Sequence, residues 1–84
     1  MAEAEFLFTT KLHEKLKEVI IGSVFVRVVY GDKLYIKIES LGGIVFSLYI
    51  EDFSPKIRNG LTTDDVAHEV VSKYKKYVLN KFFN

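Results

Sequence analysis

The sequence lacks cysteine and tryptophan and has a single proline, Pro55. Without cysteine the chain can form no disulfide, thiolate metal site or cysteine nucleophile. It also lacks an excess of charge of one sign, because twelve basic and eleven acidic residues give a formal net charge of +1. A dedicated binder of polyanions normally carries a basic excess gathered on one surface. These absences argue against thiol chemistry and against a dedicated nucleic-acid binder.

Long hydrophobic runs are missing as well. Apolar runs such as 24–26 and 44–46 are far shorter than the roughly 20 residues that cross a bilayer. The first residues include Glu3 and Glu5, where a secretory signal would be basic. We therefore expect a cytoplasmic protein with no membrane partner.

What the chain does contain is enough apolar material for one core. Its 84 residues are 49% hydrophobic and include seven Phe and five Tyr, which is unlike a disordered sequence. A chain of this length has room for one hydrophobic core and no second domain. We expect residues 1–84 to form one α+β domain.

The first segment has the pattern of an amphipathic helix. Its apolar residues at helical spacing are Leu12, Leu16, Val19 and Ile20. Thr9 or Thr10 can cap its start, and Gly22 stands where a left-handed residue would end it. Phe8 extends the apolar stripe by one turn, so the alternative is a helix that begins nearer Glu3.

Three strand-like segments follow, at 24–30, 34–39 and 44–51. They are rich in β-branched and aromatic residues and are separated by the turn pairs Gly31-Asp32 and Gly42-Gly43. This pattern predicts a three-stranded antiparallel meander.

The residues after the third strand predict an irregular connection. Pro55, Asn59 and Gly60 interrupt any regular pattern there. We expect Lys56 and Arg58, within this connection, to face solvent.

The last helix has clear start signals. Thr62 is placed to cap it, Asp64 and Asp65 suit the positive end of its dipole, and Leu61 can pack on Val66 as a staple. The predicted apolar stripe is Val66, Val70, Tyr74, Tyr77 and Val78, with Ala67, Val71 and Phe82 alongside.

Two local rules disagree on the register of the first hairpin. A two-residue Gly31-Asp32 turn is a common hairpin loop, but it places Arg27 on the face that carries the apolar residues. An odd loop at 31–33 places Arg27, Lys37 and Glu39 together on the other face. Because an unpaired buried arginine costs several kcal/mol, we favour the odd loop. The inner face is then Val24, Val26, Val28, Tyr30, Leu34, Ile36, Ile38, Ile44, Phe46, Leu48 and Ile50.

The predicted fold class is α+β, a two-layer α-β-β-β-α domain with a three-stranded antiparallel meander and two helices on one face. This order resembles the double-stranded RNA-binding domain over most of the chain. The resemblance implies a lysine cluster at the start of the second helix, but residues 62–65 read Thr-Thr-Asp-Asp, and their acidic groups would repel RNA. The 31–33 loop is also shorter than the family's RNA-contacting loop. The resemblance therefore extends to the fold and not to the RNA-binding residues.

Motifs for chemistry are missing from the sequence. His13 and His68 are each followed by glutamate, but Lys17 and Ser72 stand where a helical zinc motif needs its second histidine. The acidic pairs at 51–52 and 64–65 are explained by a strand end and by helix capping. We expect no catalytic activity, no metal, no cofactor and no small-molecule ligand.

The outward face of the sheet is the main candidate for function. Its proposed contact residues are Phe25, Arg27, Tyr35, Lys37, Val45 and Tyr49, and a C-terminal patch adds Leu79, Phe82 and Phe83. Soluble monomers rarely leave large apolar patches uncovered. The first hypothesis is protein contact, most simply self-association as a homodimer, either through stacked sheets or through the C-terminal patch.

Two alternatives to protein contact remain open. Single-stranded nucleic acid could stack its bases on Phe25, Tyr35 and Tyr49. Residues 6–8, Phe-Leu-Phe, could instead fold back over the face and leave no site.

Overall fold

A computed structural model describes residues 3–83 as three helices and a three-stranded sheet. The elements are α1 (Glu3–Val19), β1 (Gly22–Val29), β2 (Lys33–Ser40), β3 (Val45–Ile50), α2 (Phe53–Arg58) and α3 (Thr63–Phe83). The antiparallel sheet has the order β1-β2-β3. The predicted α+β meander, with the long helices on one face, is confirmed, and α2 is an addition to it.

The hydrophobic core lies between the sheet and the helices. Its buried apolar residues are Phe8, Leu12, Leu16, Ile20, Leu34, Ile36, Ile38, Phe46, Ile50, Phe53, Val66 and Val70. Every buried strand residue in this set has an even number, because successive side chains of a strand point to opposite faces. The even-numbered face is thus the inner face, as the sequence predicted.

The first hairpin has an odd loop, but its position differs from the prediction. Val28 pairs with Leu34 and Val29 with Lys33, which leaves the three-residue loop Tyr30 to Asp32. The loop therefore lies one residue earlier than the predicted 31–33 loop, while the division of the two faces is unchanged. Tyr30 does not join the inner face, because it adopts a left-handed conformation in the turn and is exposed.

Among the described residues, α1 begins at Glu3, which confirms the longer of the two predicted helices. Thr9 is inside the helix and not its cap, since its hydroxyl donates a hydrogen bond to the carbonyl of Phe6 at 2.9 Å. Phe8 packs edge-on against Phe53, with ring centroids 5.0 Å apart. Residues 3–8 therefore lie in the helical layer, and they do not fold back over the outward face of the sheet. Residues 1 and 2 are outside the described part of the chain.

Gly22 starts β1 and does not form the predicted left-handed end of α1. Its φ of 140° lies in a region that side chains rarely adopt. A Cβ at this position would collide with the carbonyl oxygen of Glu39 on the neighbouring strand. Glycine is needed here because the two backbones approach closely.

The connection after β3 contains the six-residue helix α2, where the sequence predicted irregular structure. Its N-cap residue, Asp52, makes no side-chain capping bond. Asp32, in the first hairpin loop, takes that role: its Oδ1 accepts bonds from the backbone N–H of Ser54 at 2.9 Å and from the Ser54 hydroxyl at 2.7 Å. Lys56 and Arg58 are exposed, as predicted.

The start of α3 has the predicted cap. The hydroxyl of Thr62 accepts a bond from the N–H of Asp65 at 3.1 Å, and the Asp65 carboxylate accepts one from the N–H of Thr62 at 3.2 Å. This reciprocal pair is a capping box. Leu61 packs against the core and Val66 is buried within it.

The far end of α3 leaves the core. Tyr74 and Tyr77 pack on Phe46, with ring centroids 5.8 and 5.5 Å from it, and Tyr77 is the last residue of α3 that packs against the core. Phe82, predicted to lie alongside the stripe, is exposed. The Cα radius of gyration is 13.0 Å, above the about 12 Å expected for a compact chain of this length. The molecule is elongated accordingly.

Candidate functional site

The outward face of the sheet, here called the outer face, consists of the odd-numbered strand residues. They are Ser23, Phe25, Arg27 and Val29 in β1, Lys33, Tyr35, Lys37 and Glu39 in β2, Val45, Ser47 and Tyr49 in β3, and Glu51 directly after it. The helices of the described residues pack on the opposite, inner face. Phe25, Val45 and Tyr49 accordingly remain 43–48% exposed.

A file of three aromatic rings crosses the centre of the outer face. Tyr35, on the central strand, pairs in register with Tyr49, and their ring centroids are 4.9 Å apart. Phe25 is the diagonal neighbour of Tyr35 across β1 and β2, at 6.0 Å and in an edge-on orientation. Cross-strand aromatic contacts of this kind stabilise a sheet and also hold the rings in place. The file therefore presents a pre-formed apolar surface.

Two cations lie beside the aromatic file. The guanidinium of Arg27 is 5.6 Å from the ring centroid of Phe25, within cation–π distance. Lys37 pairs in register with Phe25 on one side and with Ser47 on the other. Arg27 and Lys37 thus lie on the outer face, as the register argument predicted.

Charges occupy both ends of the outer face. Lys33 and Glu51 form an ion pair at 3.4 Å at one end. Glu39 is exposed near the other end, where it pairs in register with Ser23 and Val45. An apolar centre bounded by charged groups has the same layout as many protein interfaces.

A shallow depression lies next to the aromatic file. It is lined in part by Phe25, Tyr35, Lys37 and Glu39, so that it has aromatic walls and both signs of charge at its rim. The depression is open to solvent rather than enclosed.

The C-terminal candidates Leu79, Phe82 and Phe83 do not join the outer face. All three are exposed at the end of α3, a helix that packs on the inner side of the sheet. The sequence predicted them as a C-terminal patch, an alternative protein contact to the sheet face, and in the structure they form a surface separate from the outer face. The outer face brings together the six other candidates.

The two histidines have different surroundings. Nε2 of His13 lies 3.0 Å from the carbonyl oxygen of Val24, which can only accept, so His13 donates this bond from α1 to β1. His68 is exposed on α3. Among residues 3–83, no three His, Asp or Glu side chains are grouped closely enough to hold a metal ion.

One acidic residue at the start of α3 has a role that the sequence did not show. Asp64 accepts a hydrogen bond from Lys15 of α1 at 2.6 Å. That hydrogen bond and the charge of Lys15 hold the pKa of Asp64 below its ordinary value. Asp64 thus joins two helices in addition to suiting the helix dipole.

Comparisons with known proteins add no relatives. No family model matches the chain, and comparisons with curated proteins and with solved structures likewise found no match. Within residues 3–83, no helix combines the length and the hydropathy that crossing a bilayer requires.

Proposed function

We propose that this protein is a small non-catalytic interaction module whose outer face binds a second copy of the chain. The observation that carries the proposal is the file of rings Phe25, Tyr35 and Tyr49 at the centre of that face. Aromatic residues at the centre of a surface contribute a large share of the energy of protein association. Association would remove their apolar surface from water.

The charges of the outer face support a second copy as the partner. Arg27, Lys33 and Lys37 are basic, while Glu39 and Glu51 are acidic. A two-fold interface brings the same patch of both copies together, so a patch with both signs of charge can pair with itself. A face of one sign would repel its own copy.

The size of the outer face predicts a weak dimer. Two strands have eight residues and one has six. With strands about 4.8 Å apart and about 3.3 Å per residue, the face measures roughly 14 by 26 Å. This is about 370 Å², less than half of the about 800 Å² that each partner buries in a typical stable interface. We expect a dimer that forms in the micromolar to millimolar range.

The test is sedimentation equilibrium over a wide concentration series. Tyr35→Glu places a charge at the centre of the aromatic file, and Tyr30→Glu is the matched control in the exposed hairpin loop. We expect the average mass of the wild type and of Tyr30→Glu to rise with concentration toward twice the 9.7 kDa of the chain. Tyr35→Glu should associate at least tenfold more weakly, with an unchanged circular dichroism spectrum. A wild type that stays monomeric throughout would overturn the proposal, as would equal association of the two variants.

The second candidate is binding of single-stranded nucleic acid. The observation that favours it is the position of Arg27 and Lys37 beside the aromatic file, since bases can stack on rings while cations meet phosphates. Glu39 and Glu51 on the same face oppose it. Titration with labelled oligonucleotides at low salt separates the two candidates: binding that Tyr35→Ala abolishes would favour nucleic acid, and no binding would exclude it.

A further inference from the structure

The second exposed surface is the end of α3, here defined as residues 73–83. After Tyr77 no residue of α3 packs against the core. At about 1.5 Å per residue, the six residues 78–83 extend roughly 9 Å farther. The longest dimension of the molecule, 40 Å against 22 and 20 Å for the other two, is consistent with this projection.

The charge of the chain is divided unequally between the residues before and after residue 70. Residues 70–84 contain four lysines and no acidic residue, a formal charge of +4. Residues 1–69 contain eight basic and eleven acidic residues, a formal charge of −3. The whole-chain value of +1 therefore conceals a basic end on an acidic body.

The lysines at the α3 end are largely available to a partner. Lys73 lies 3.6 Å from Glu69 in an exposed pair, and Lys81 lies over the ring of Tyr77 at 5.5 Å. Among residues 3–83, Lys75 and Lys76 form no ion pair. Several acidic groups of the body are engaged within the chain, as Asp64 is by Lys15 and Glu51 by Lys33.

Apolar side chains accompany these lysines. Val78, Leu79 and Phe82 fall within an arc of about 100° on one side of the helix, as their spacing of one and four residues requires. Leu79, Phe82 and Phe83 are 54, 67 and 80% exposed. A shallow groove lined by Tyr74, Lys75, Val78 and Leu79 continues the apolar side toward the body.

We propose that the α3 end binds the surface of an anionic lipid bilayer. Helices with apolar and aromatic residues on one face and lysines on the other lie at the boundary of headgroups and acyl chains. At the α3 end Lys73, Lys76 and Lys81 lie outside the apolar arc, and Lys75 lies within it. Phe82 and Leu79 would enter that boundary, and the long stem of Lys75 allows its ammonium group to reach the headgroups. Anionic lipids attract the four lysines, while the acidic body is held away from the surface.

The same observations disfavour the other occupants of this surface. A second copy would bring another end of charge +4 against the first, and the two would repel each other. Nucleic acid would satisfy the lysines but leaves no role for the exposed Leu79. The short apolar runs and the acidic first residues predicted no membrane partner. Those features bear on spanning and targeting, and a surface-bound helix needs no spanning run.

The test is flotation of the full chain with vesicles of phosphatidylcholine alone or of equal parts phosphatidylcholine and phosphatidylserine. We expect binding to the mixed vesicles, weak or no binding to the neutral ones, and loss of binding as salt is raised. Lys75→Glu with Lys76→Glu, and separately Leu79→Ser with Phe82→Ser, should each lower the partition coefficient at least tenfold. The matched control is Lys56→Glu with Arg58→Glu, the same charge change on exposed residues of α2, which should retain most of the binding.

Several results would overturn this proposal. The first is that the wild type does not bind the mixed vesicles, and the second is that the α2 control loses as much binding as the lysine variant. The third is that the lysine variant loses binding while the apolar variant retains it. Binding of a labelled oligonucleotide through the same lysines, in the absence of vesicle binding, would assign the surface to nucleic acid instead. Because Tyr35→Glu leaves the α3 end intact, its binding to vesicles tests this proposal independently of self-association through the outer face.

Discussion

At the scale of single residues, Asp32 shows how a distant side chain completes a local structure. It lies in the first hairpin loop, yet its carboxylate caps α2 through Ser54, 22 residues away in the sequence. The hydrogen bonds from the Ser54 hydroxyl and backbone N–H hold the pKa of Asp32 below its ordinary value, and the charge of Arg58 acts in the same direction. The ionised form of Asp32 is therefore favoured by folding.

This preference predicts a pH dependence of stability. A carboxylate whose pKa is lower in the folded state stabilises the fold above its unfolded pKa, about 3.9, and this contribution is lost as the pH falls through the lower folded pKa. We expect Asp32→Asn to lower the urea midpoint at pH 7, and we expect the difference between the variant and the wild type to narrow as the pH falls below about 3.9. Asp52→Asn is the control, because that side chain makes no capping bond. A difference that stays constant with pH would contradict this role of Asp32.

At the scale of elements, the sequence predicted those whose signals are local. The stripe of Leu12 and Leu16 identifies α1, and the capping box of Thr62 identifies the start of α3. The six residues of α2 contain Pro55, and the cap comes from a residue on another loop, so no local pattern marks this helix. For the same reason the sequence did not predict that Phe53 is fully buried in the core. The odd length of the first hairpin loop could be predicted only indirectly, from the free-energy cost of burying Arg27.

The position of Phe53 predicts its contribution to stability. Its ring packs edge-on against Phe8 and thereby joins α2 to α1. Because removal of a buried aromatic ring loses its transfer free energy and leaves a cavity, we expect Phe53→Ala to lower the free energy of unfolding by about 3–5 kcal/mol. Phe6→Ala, at a position 58% exposed, should lower it by less than about 1 kcal/mol. Urea denaturation measures the free energy of unfolding of both variants. A loss for Phe53→Ala as small as that for Phe6→Ala would contradict this contribution of Phe53.

At the scale of the whole molecule, the structure has two separate exposed surfaces, the outer face and the end of α3. Alternation along the strands and the cost of burying Arg27 sufficed to predict which residues form the outer face. Leu79, Phe82 and Phe83 are separate from the outer face because of where the sheet ends relative to α3. Local sequence patterns do not indicate this position. The division of charge at residue 70 was readable in the sequence, but the whole-chain net charge hides it.

We propose that two copies of the chain meet through the outer face. The most direct measurement is a dilution series of amide-resolved NMR spectra of the ¹⁵N-labelled wild type. We expect concentration-dependent shifts centred on Phe25, Tyr35 and Tyr49, with the amides of α1 and of residues 78–83 little changed. Spectra that do not change with concentration, or shifts confined to the end of α3, would rule out association through the outer face.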